Sequence, residues 1–333
     1  MAQTLVLGAT GHIGSHVVRA LLAEGHAVRA AYRTGKYLGV LEGLEVDRVR
    51  VDLDSPELLR AALRGCPWVF HAAGFYPSNR QPREEAIRTG TESTRRILEE
   101  TRRAGAERVV FTSSAATLRA VAGRMADESD AEPWPLTRWR HLYSAVKIAM
   151  EQEALSAARG GLPVVIVNPS LCIGEYDAHI FSGRSILAFA RYRLPFYTDT
   201  AFNVVYTGDV GVGLVRAAEK GRPGERYLLA GRNVTLKEFA AMAARELGVP
   251  PPRWRVPYAG VYLAACGAEL AGKLAGKEPL FTRDEVCRVR GGYRLDGSKA
   301  VRELGMPQTP PEEAVRRAVR WFRQEGLIKK KEA

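Results

Sequence analysis

The sequence has few cysteines and no apolar run long enough to cross a membrane in its 333 residues. The four cysteines, Cys66, Cys172, Cys266 and Cys287, are scattered without the spacing of a metal site, so buried free thiols are expected. No signal-peptide pattern precedes the first apolar run, which begins almost at Met1. These absences argue against a cysteine-based metal centre and a membrane-spanning protein, and they favour a cytoplasmic location.

The charge balance is strongly positive, with a formal net charge of +12 at pH 7. A nucleic-acid partner is not expected, because arginines are interleaved with glutamates along helical segments such as residues 99–103 and 312–323. Only residues 329–331 form a run of lysines. The hydrophobic content of 46% and charged content of 26% are those of a globular protein, and the length suffices for two lobes. The excess positive charge would attract an anionic cofactor or substrate.

Three glycines at intervals of three residues follow the first apolar run. Residues 5–7 have the composition of a buried parallel strand, and a helical pattern begins near Ser15. Gly8 allows a turn that other residues cannot make, Gly11 lets a pyrophosphate approach the backbone, and Gly14 lets the helix pack on the strand. The pattern G-x-x-G-x-x-G predicts a dinucleotide site at the helix N-terminus, although a glycine-rich turn without a ligand has the same pattern. The predicted contacts are Gly8, Thr10, Gly11, His12, Ile13 and Gly14.

A tyrosine and a lysine four residues apart, Tyr143 and Lys147, lie on one face of a predicted helix. A phenol has a pKa of about 10, and a neighbouring ammonium lowers it by stabilising the phenolate. A phenol tuned in this way can exchange a proton with a carbonyl or hydroxyl oxygen while hydride moves. Ser114 follows a strand predicted at residues 108–112 and would hold the substrate oxygen beside Tyr143.

The glycine turn, the serine after a strand and the Tyr-Lys pair, in this order, resemble the extended short-chain dehydrogenase/reductase family. Within that family the chain is most similar to the branch of dihydroflavonol reductases and nucleotide-sugar epimerases. The matching stretches cover nearly the whole chain and are residues 51–53, 70–73, 111–115, 143–147, 167–170, 224–229, 298–300 and 303–305. The resemblance implies an α/β fold, namely a Rossmann-type doubly wound parallel sheet with a smaller C-terminal substrate lobe.

The resemblance also implies roles for residues outside the glycine turn. Ser114 matches the catalytic serine, Tyr143 the general acid/base, and Lys147 the activating lysine that also binds the nicotinamide ribose. Asp52 and Leu53 match positions near the adenine. The positions that match the rest of the cofactor lining are Ala72, Ala73, Pro169 and Ser170.

The choice of cofactor depends on the end of the second predicted strand, near Arg33. Sites for NAD usually have an acidic residue there for the ribose 2′-hydroxyl, but residues 27–40 contain none. A guanidinium suits a 2′-phosphate, so the sequence favours NADP, with NAD as the alternative if Arg33 is an ordinary surface arginine. Lys36 is a second candidate for this contact.

One position departs from the family pattern. The helix after the fourth strand usually has an asparagine in an N-V-x-G-T stretch, whereas Gly90 occupies that position here. In the family this asparagine helps to shape the active site and its proton path. Its loss leaves Ser114, Tyr143 and Lys147 in place, but it makes a non-catalytic NADP-binding protein an alternative.

Strand-like and helical segments alternate through the first half of the chain, as a doubly wound sheet requires. Further strands are predicted at residues 46–51, 68–72 and 163–167, and helices at 84–103, 143–158, 236–247 and 261–274. We place a dinucleotide-binding domain at residues 1–170 and a substrate lobe mostly at residues 171–330, with segments that return to the main sheet. The resemblance implies a homodimer formed by the helices after the fourth and fifth strands.

Candidate substrate contacts are Tyr76, Asn79 and Asn168, with core packing as an equal alternative for each. Three functions remain open. The first is an NADP-dependent reductase of a ketone or aldehyde, with Tyr143 as proton donor. The second is a nucleotide-sugar epimerase that retains its NAD(P), and the third is a non-enzymatic NADP-binding regulator. In both enzymatic cases the partner is a small-molecule substrate, and no membrane contact is expected.

Overall fold

A seven-stranded parallel sheet forms the centre of the computed structural model, which describes residues 3–78, 81–136, 141–193, 195–276, 283, 286 and 292–328. The strands are β1 (Thr4–Leu7), β2 (Val28–Tyr32), β3 (Asp47–Arg50), β4 (Trp68–His71), β5 (Arg108–Thr112), β6 (Val164–Pro169), β7 (Leu171–Ile173), β8 (Phe196–Tyr197), β9 (Ala201–Tyr206), β10 (Arg226–Leu229), β11 (Arg232–Thr235) and β12 (Trp254–Arg255). The main sheet has the order β10-β6-β5-β4-β1-β2-β3, and its neighbouring strands are parallel. The predicted Rossmann-type α/β fold is confirmed.

Helices cover both faces of this sheet. The helices of the described residues are α1 (His12–Ala23), α2 (Pro56–Leu63), α3 (Arg83–Arg103), α4 (Leu142–Arg159), α5 (Arg184–Tyr192), α6 (Thr207–Lys220), α7 (Leu236–Leu247), α8 (Tyr258–Ala275) and α9 (Pro311–Gln324). Side chains alternate along β1, so Leu5 and Leu7 join one core with α2, α3 and α4, while Val6 joins the other with α1 and α6. Strands β1 and β6 are therefore buried on both faces, as their apolar composition predicts, whereas the polar edge strand β3 is largely exposed.

Most of the predicted strands and helices begin and end within three residues of the observed ones. The bounds of β5 and α7 are those predicted, and β3 is one residue shorter at each end. Strand β6 continues to Pro169, two residues beyond its predicted end, because β10 pairs with it as far as that residue. A proline is tolerated there because it is the last residue of the strand and needs to donate no further ladder hydrogen bond.

The second half of the chain forms two small sheets and also adds one strand to the main sheet. Strands β7, β9 and β11 form a separate three-stranded sheet, and β8 pairs with β12. Strand β10 returns to the main sheet beside β6. Phe196, in β8, contacts Trp254 at an exposed surface, with ring centroids 5.7 Å apart.

Within the described part of the chain, no helix, α8 included, combines the length and apolarity needed to span a membrane. The same residues contain no cluster of side chains suited to a metal ion. Cys66 and Cys172 are buried free thiols, and Cys266 is a half-buried one. Cys287 lies outside the described residues.

Candidate active site

The turn between β1 and α1 is closely packed against the end of β4. Gly8 has a φ of +80°, and a Cβ atom there would lie 2.7 Å from the Ala73 nitrogen. A Cβ atom at Gly14 would lie 2.1 Å from the Gly8 oxygen. Both distances are too short for a side chain, so these two positions require glycine.

The first turn of α1 has no side-chain cap among the described residues, and its N-cap is Gly11. N–H groups at such a terminus, approached past glycine, suit a phosphate. The residues present therefore fit the pyrophosphate of a nicotinamide dinucleotide, which the backbone of this turn would hold. Of the other predicted contacts here, Thr10 is buried and Ile13 is half-buried. His12 Nε2 lies 2.9 Å from Thr207 Oγ1.

The remaining predicted cofactor residues follow the carboxyl ends of neighbouring strands. They are Arg33 after β2, Asp52 and Leu53 after β3, Ala72 and Ala73 after β4, and Pro169 and Ser170 at the end of β6. The strand order reverses between β1 and β4, so a crevice for ligands is expected at this edge of the sheet. Arg33 and Asp52 have exposed side chains, and the Ser170 hydroxyl donates to Asn203 Oδ1 at 2.7 Å.

Helix α4 carries Tyr143, Lys147 and Glu151 at intervals of four residues, and thus on one face. Lys147 is 2% exposed. Burial lowers the pKa of Lys147 to about 8, and the Glu151 carboxylate opposes this shift. Below that pH the side chain is an ammonium, one helical turn from the Tyr143 phenol.

Ser114 lies just after β5, where the chain enters a short 3₁₀ helix (Ala115–Thr117). Its hydroxyl oxygen accepts a hydrogen bond from the Ala116 N–H at 3.1 Å, which fixes the side chain. The 3₁₀ helix packs against α4. The structure therefore brings Ser114 to the helix that carries Tyr143 and Lys147.

The Glu151 carboxylate, on the buried face of α4, was not predicted from the sequence, and the residue is 1% exposed. Arg226 Nε donates to one carboxylate oxygen at 2.6 Å, and Asn168 Nδ2 donates to the other at 2.7 Å. The hydroxyls of Ser113 and Thr117 donate to that second oxygen as well. These hydrogen bonds tie α4 to β10, to β6 and to the segment after β5. Glu151 follows Lys147 by the same four residues that separate Lys147 from Tyr143, and this spacing is the signal that could have identified it.

Asn168, a predicted substrate contact, belongs to this network. The residue is fully buried, and its amide nitrogen lies 3.0 Å from Thr117 Oγ1 and 3.2 Å from the Ser114 oxygen. The amide nitrogen thus has several protein acceptors, whereas Oδ1 has no hydrogen-bond partner among the described residues. Asn79 lies outside the described residues.

Three aromatic rings meet at the predicted acid/base. The rings of Tyr76 and Tyr143 are nearly parallel, with centroids 5.6 Å apart. The Phe181 ring lies 4.3 Å from that of Tyr76 and 6.3 Å from that of Tyr143. Tyr76 and Phe181 are about half exposed, so this aromatic layer is open to solvent on one side.

Gly90 lies where α3 packs on α4. A Cβ atom there would lie 3.0 Å from Val146 Cγ1 and 3.3 Å from Met150 Cγ. An asparagine at this position would have to displace both side chains. The glycine that departs from the family pattern therefore allows the two helices to approach closely.

His71, the last residue of β4, is buried next to the site. Neither of its ring nitrogens has a hydrogen-bond partner among the described residues, and its ring contacts Phe111 at 5.2 Å. Burial, reinforced by the Lys147 ammonium, lowers the pKa of His71 to about 4. The imidazole is therefore neutral near pH 7.

Known proteins resemble the chain over nearly its whole length. Residues 4–230 match the model of the NAD dependent epimerase/dehydratase family. The chain is 36% identical to a Synechocystis sp. protein provisionally named dihydroflavonol 4-reductase, over 97% of this chain and 95% of that protein. It is 34% identical to sterol demethylase protein B of Methylococcus capsulatus, over 98% and 99%. A nucleoside-diphosphate-sugar epimerase structure from Pseudomonas aeruginosa is 29% identical, with a TM-score of 0.82 over 98% and 99%.

Replacing Glu151 with alanine is expected to lower the free energy of unfolding by about 3 kcal/mol, because Arg226 and Asn168 lose a buried partner. The matched control is Glu153→Ala on the same helix, which removes a surface ion pair with Arg95 and should cost less than about 1 kcal/mol. Urea unfolding of both variants measures the difference. Equal losses would contradict the structural role of Glu151.

The neutral, buried state of His71 predicts acid sensitivity. Its pKa of about 4 lies below the ordinary value of 6.5, so the unfolded chain binds a proton first and stability falls as pH drops through that window. Between pH 7 and pH 5 this difference is worth about 2 kcal/mol. His71→Leu should therefore lose about that much less stability than the wild type over this interval. Urea unfolding at pH 7 and pH 5 measures both losses. If the wild type and His71→Leu lose the same free energy of unfolding over this interval, the assignment is contradicted.

Proposed function

The chain belongs to the NAD dependent epimerase/dehydratase family, and from this premise we propose that it is an NADP-dependent reductase of a ketone or aldehyde. A bound nicotinamide cofactor would supply the hydride. The protein would hold the cofactor, orient the carbonyl and deliver a proton to its oxygen. The buried Lys147 ammonium, one helical turn from Tyr143, is the observation that carries the proposal.

Tyr143 is the proton donor in this proposal. Its phenolic proton would pass to the substrate oxygen, and the Lys147 ammonium would stabilise the phenolate that remains. Ser114 would orient the same oxygen. Its hydroxyl already accepts a hydrogen bond from Ala116, so its own proton is free to be donated to the substrate.

The aromatic layer favours a substrate with a flat or fused apolar ring. Tyr76 and Phe181 present half-exposed rings beside Tyr143, which suit stacking rather than the recognition of a charged group. Two relatives have names taken from dihydroflavonol and sterol chemistry, and both classes of compound contain fused rings.

We assign the cofactor preference to Arg33. It follows β2 directly, has an exposed side chain, and no acidic residue accompanies it between residues 27 and 40. A guanidinium at this point would pair with the 2′-phosphate of NADP, whereas NAD would offer it only a hydroxyl.

A nucleotide-sugar epimerase is the second candidate, supported by the likeness to the Pseudomonas epimerase. Such an enzyme would return the hydride to its substrate within one turnover, so it would work without added NADPH.

The third candidate, a regulator that binds NADP without catalysis, would keep its biological effect when Tyr143 is replaced.

Tyr143→Phe removes the transferable proton and leaves the ring. With NADPH and a panel of ring-containing ketones and aldehydes, we expect turnover to fall by about 100- to 10,000-fold. NADPH affinity should stay within about twofold, since the binding backbone is unchanged. Tyr192→Phe, on the exposed end of α5, is the control and should keep wild-type turnover. Full activity in Tyr143→Phe would refute the mechanism.

Arg33→Ala tests the cofactor preference. Loss of a charge-assisted contact to phosphate should weaken NADPH binding about tenfold or more and leave NADH binding nearly unchanged. Fluorescence titration of both nucleotides measures this. Arg232→Ala, which removes an exposed arginine paired with Glu312 on another surface, should change neither affinity. Equal NADH and NADPH affinity in the wild type would contradict the NADP assignment.

A further inference from the structure

Residues 174–183, called the strap below, connect β7 to α5. The strap contacts the segments that follow β2 and β4, on either side of the expected cofactor crevice. His179 contacts Tyr37, which lies beyond the end of β2, with ring centroids 4.0 Å apart. Two residues later, Phe181 contacts Tyr76, which lies beyond the end of β4, at 4.3 Å. Because β2 and β4 flank β1 in the sheet, the strap passes over the edge at which the dinucleotide would bind.

A buried carboxylate holds the strap in this conformation. Asp177 is 1% exposed and accepts hydrogen bonds from the Phe181 N–H at 3.1 Å and the Gly183 N–H at 2.7 Å. One of its oxygens lies 4.0 Å from His12 Nδ1 in the glycine turn. Ile180 adopts a left-handed conformation, with a φ of +50°, that closes the turn. The strap is therefore fixed relative to the turn that would bind the pyrophosphate.

His179 lies among the basic residues at the β2 end of the crevice. Partial burial and the positive charges of Arg33 and Lys36 lower the pKa of His179, while the Asp177 carboxylate opposes this shift. His179 is an exposed residue. Two of these groups meet at the Tyr37 ring, since the His179 ring centroid lies 4.0 Å and Lys36 Nζ 5.1 Å from the Tyr37 ring centroid, and Arg33 precedes Tyr37 by four residues.

We propose that His179 is a specificity-determining residue, which together with Arg33 and Lys36 contacts the 2′-phosphate of NADP. This inference rests on the proposed NADP preference and adds a contact from the second half of the chain, delivered by the strap. The 2′-phosphate carries a charge between −1 and −2 near neutral pH, and NAD lacks it. An imidazolium donates a charge-assisted hydrogen bond to such a group, whereas it gains little from a hydroxyl.

The same arrangement predicts that the contribution of His179 to NADPH binding depends on pH. The cations around His179 disfavour its protonated form, and a bound phosphate would offset their charge and favour it. Only the protonated imidazole carries the extra charge. The contribution of His179 to NADPH affinity should therefore be greater at pH 6 than at pH 8.

The test is a titration of NADPH and NADH against the wild type, His179→Gln, His179→Lys, Arg33→Ala and the double variant Arg33→Ala/His179→Gln. We expect His179→Gln to weaken NADPH binding about three- to tenfold at pH 6 and less at pH 8, with NADH affinity within about twofold. His179→Lys keeps a positive charge and should retain the NADPH preference at both pH values. His26→Gln, a histidine that contacts Trp68 on another part of the surface, is the control and should change neither affinity.

The outcomes separate this inference from the proposed function. If the wild type prefers NADPH and Arg33→Ala abolishes the preference, but His179→Gln leaves it intact, the role of His179 is overturned and the NADP assignment stands. If His179→Gln weakens NADPH and NADH equally, the residue only packs the strap, and the inference is again overturned. If the wild type binds NADH as tightly as NADPH, both the NADP assignment and the role of His179 fail.

Discussion

The buried carboxylate of Glu151 constrains the helix that carries the predicted acid/base. A carboxylate in the interior is stable only when its charge is paired and its oxygens are hydrogen-bonded. Arg226 supplies the charge from β10, and Asn168 supplies a hydrogen bond from β6. A shift of α4 by one residue would break these contacts, so the register of the helix is fixed, and with it the positions of Tyr143 and Lys147. A strand from the second half of the chain thus determines the geometry of a site built mainly from the first half.

The charges of this layer also explain the environment of the phenol. Arg226 is paired with the Glu151 carboxylate, whose negative charge also raises the pKa of Lys147 against the larger lowering effect of burial. Glu151 therefore only partly opposes the effect of burial on Lys147. In the proposed reaction, the Lys147 ammonium would stabilise the Tyr143 phenolate that remains after proton transfer. The neutral His71 adds no charge to this balance near pH 7.

The sequence predicted the parts of the protein that depend on local pattern. The strand–turn–helix at Gly8, the strand β5 and the helix α7 follow from periodicity, capping and glycine spacing. Glu151 was missed because glutamates along a helix are usually solvated, and its partner Arg226 lies 75 residues away. The strap was missed because residues 174–183 have no periodicity, and a carboxylate and long-range ring contacts fix their path. The hydrogen bonds of Asn168 to the segment after β5 were not predicted, because its position at the end of a buried strand does not reveal what its amide contacts.

The proposed reaction is net transfer of hydride to a carbonyl carbon at a site where Tyr143 supplies the proton. The most direct measurement uses NADPH carrying two deuterium atoms at the nicotinamide C4, with mass spectrometry of the product. A reductase incorporates one deuterium into the alcohol carbon of each product molecule and consumes one NADPH for each. Turnover of a nucleotide sugar without deuterium incorporation or NADPH consumption would contradict the account and assign the protein to the epimerase class.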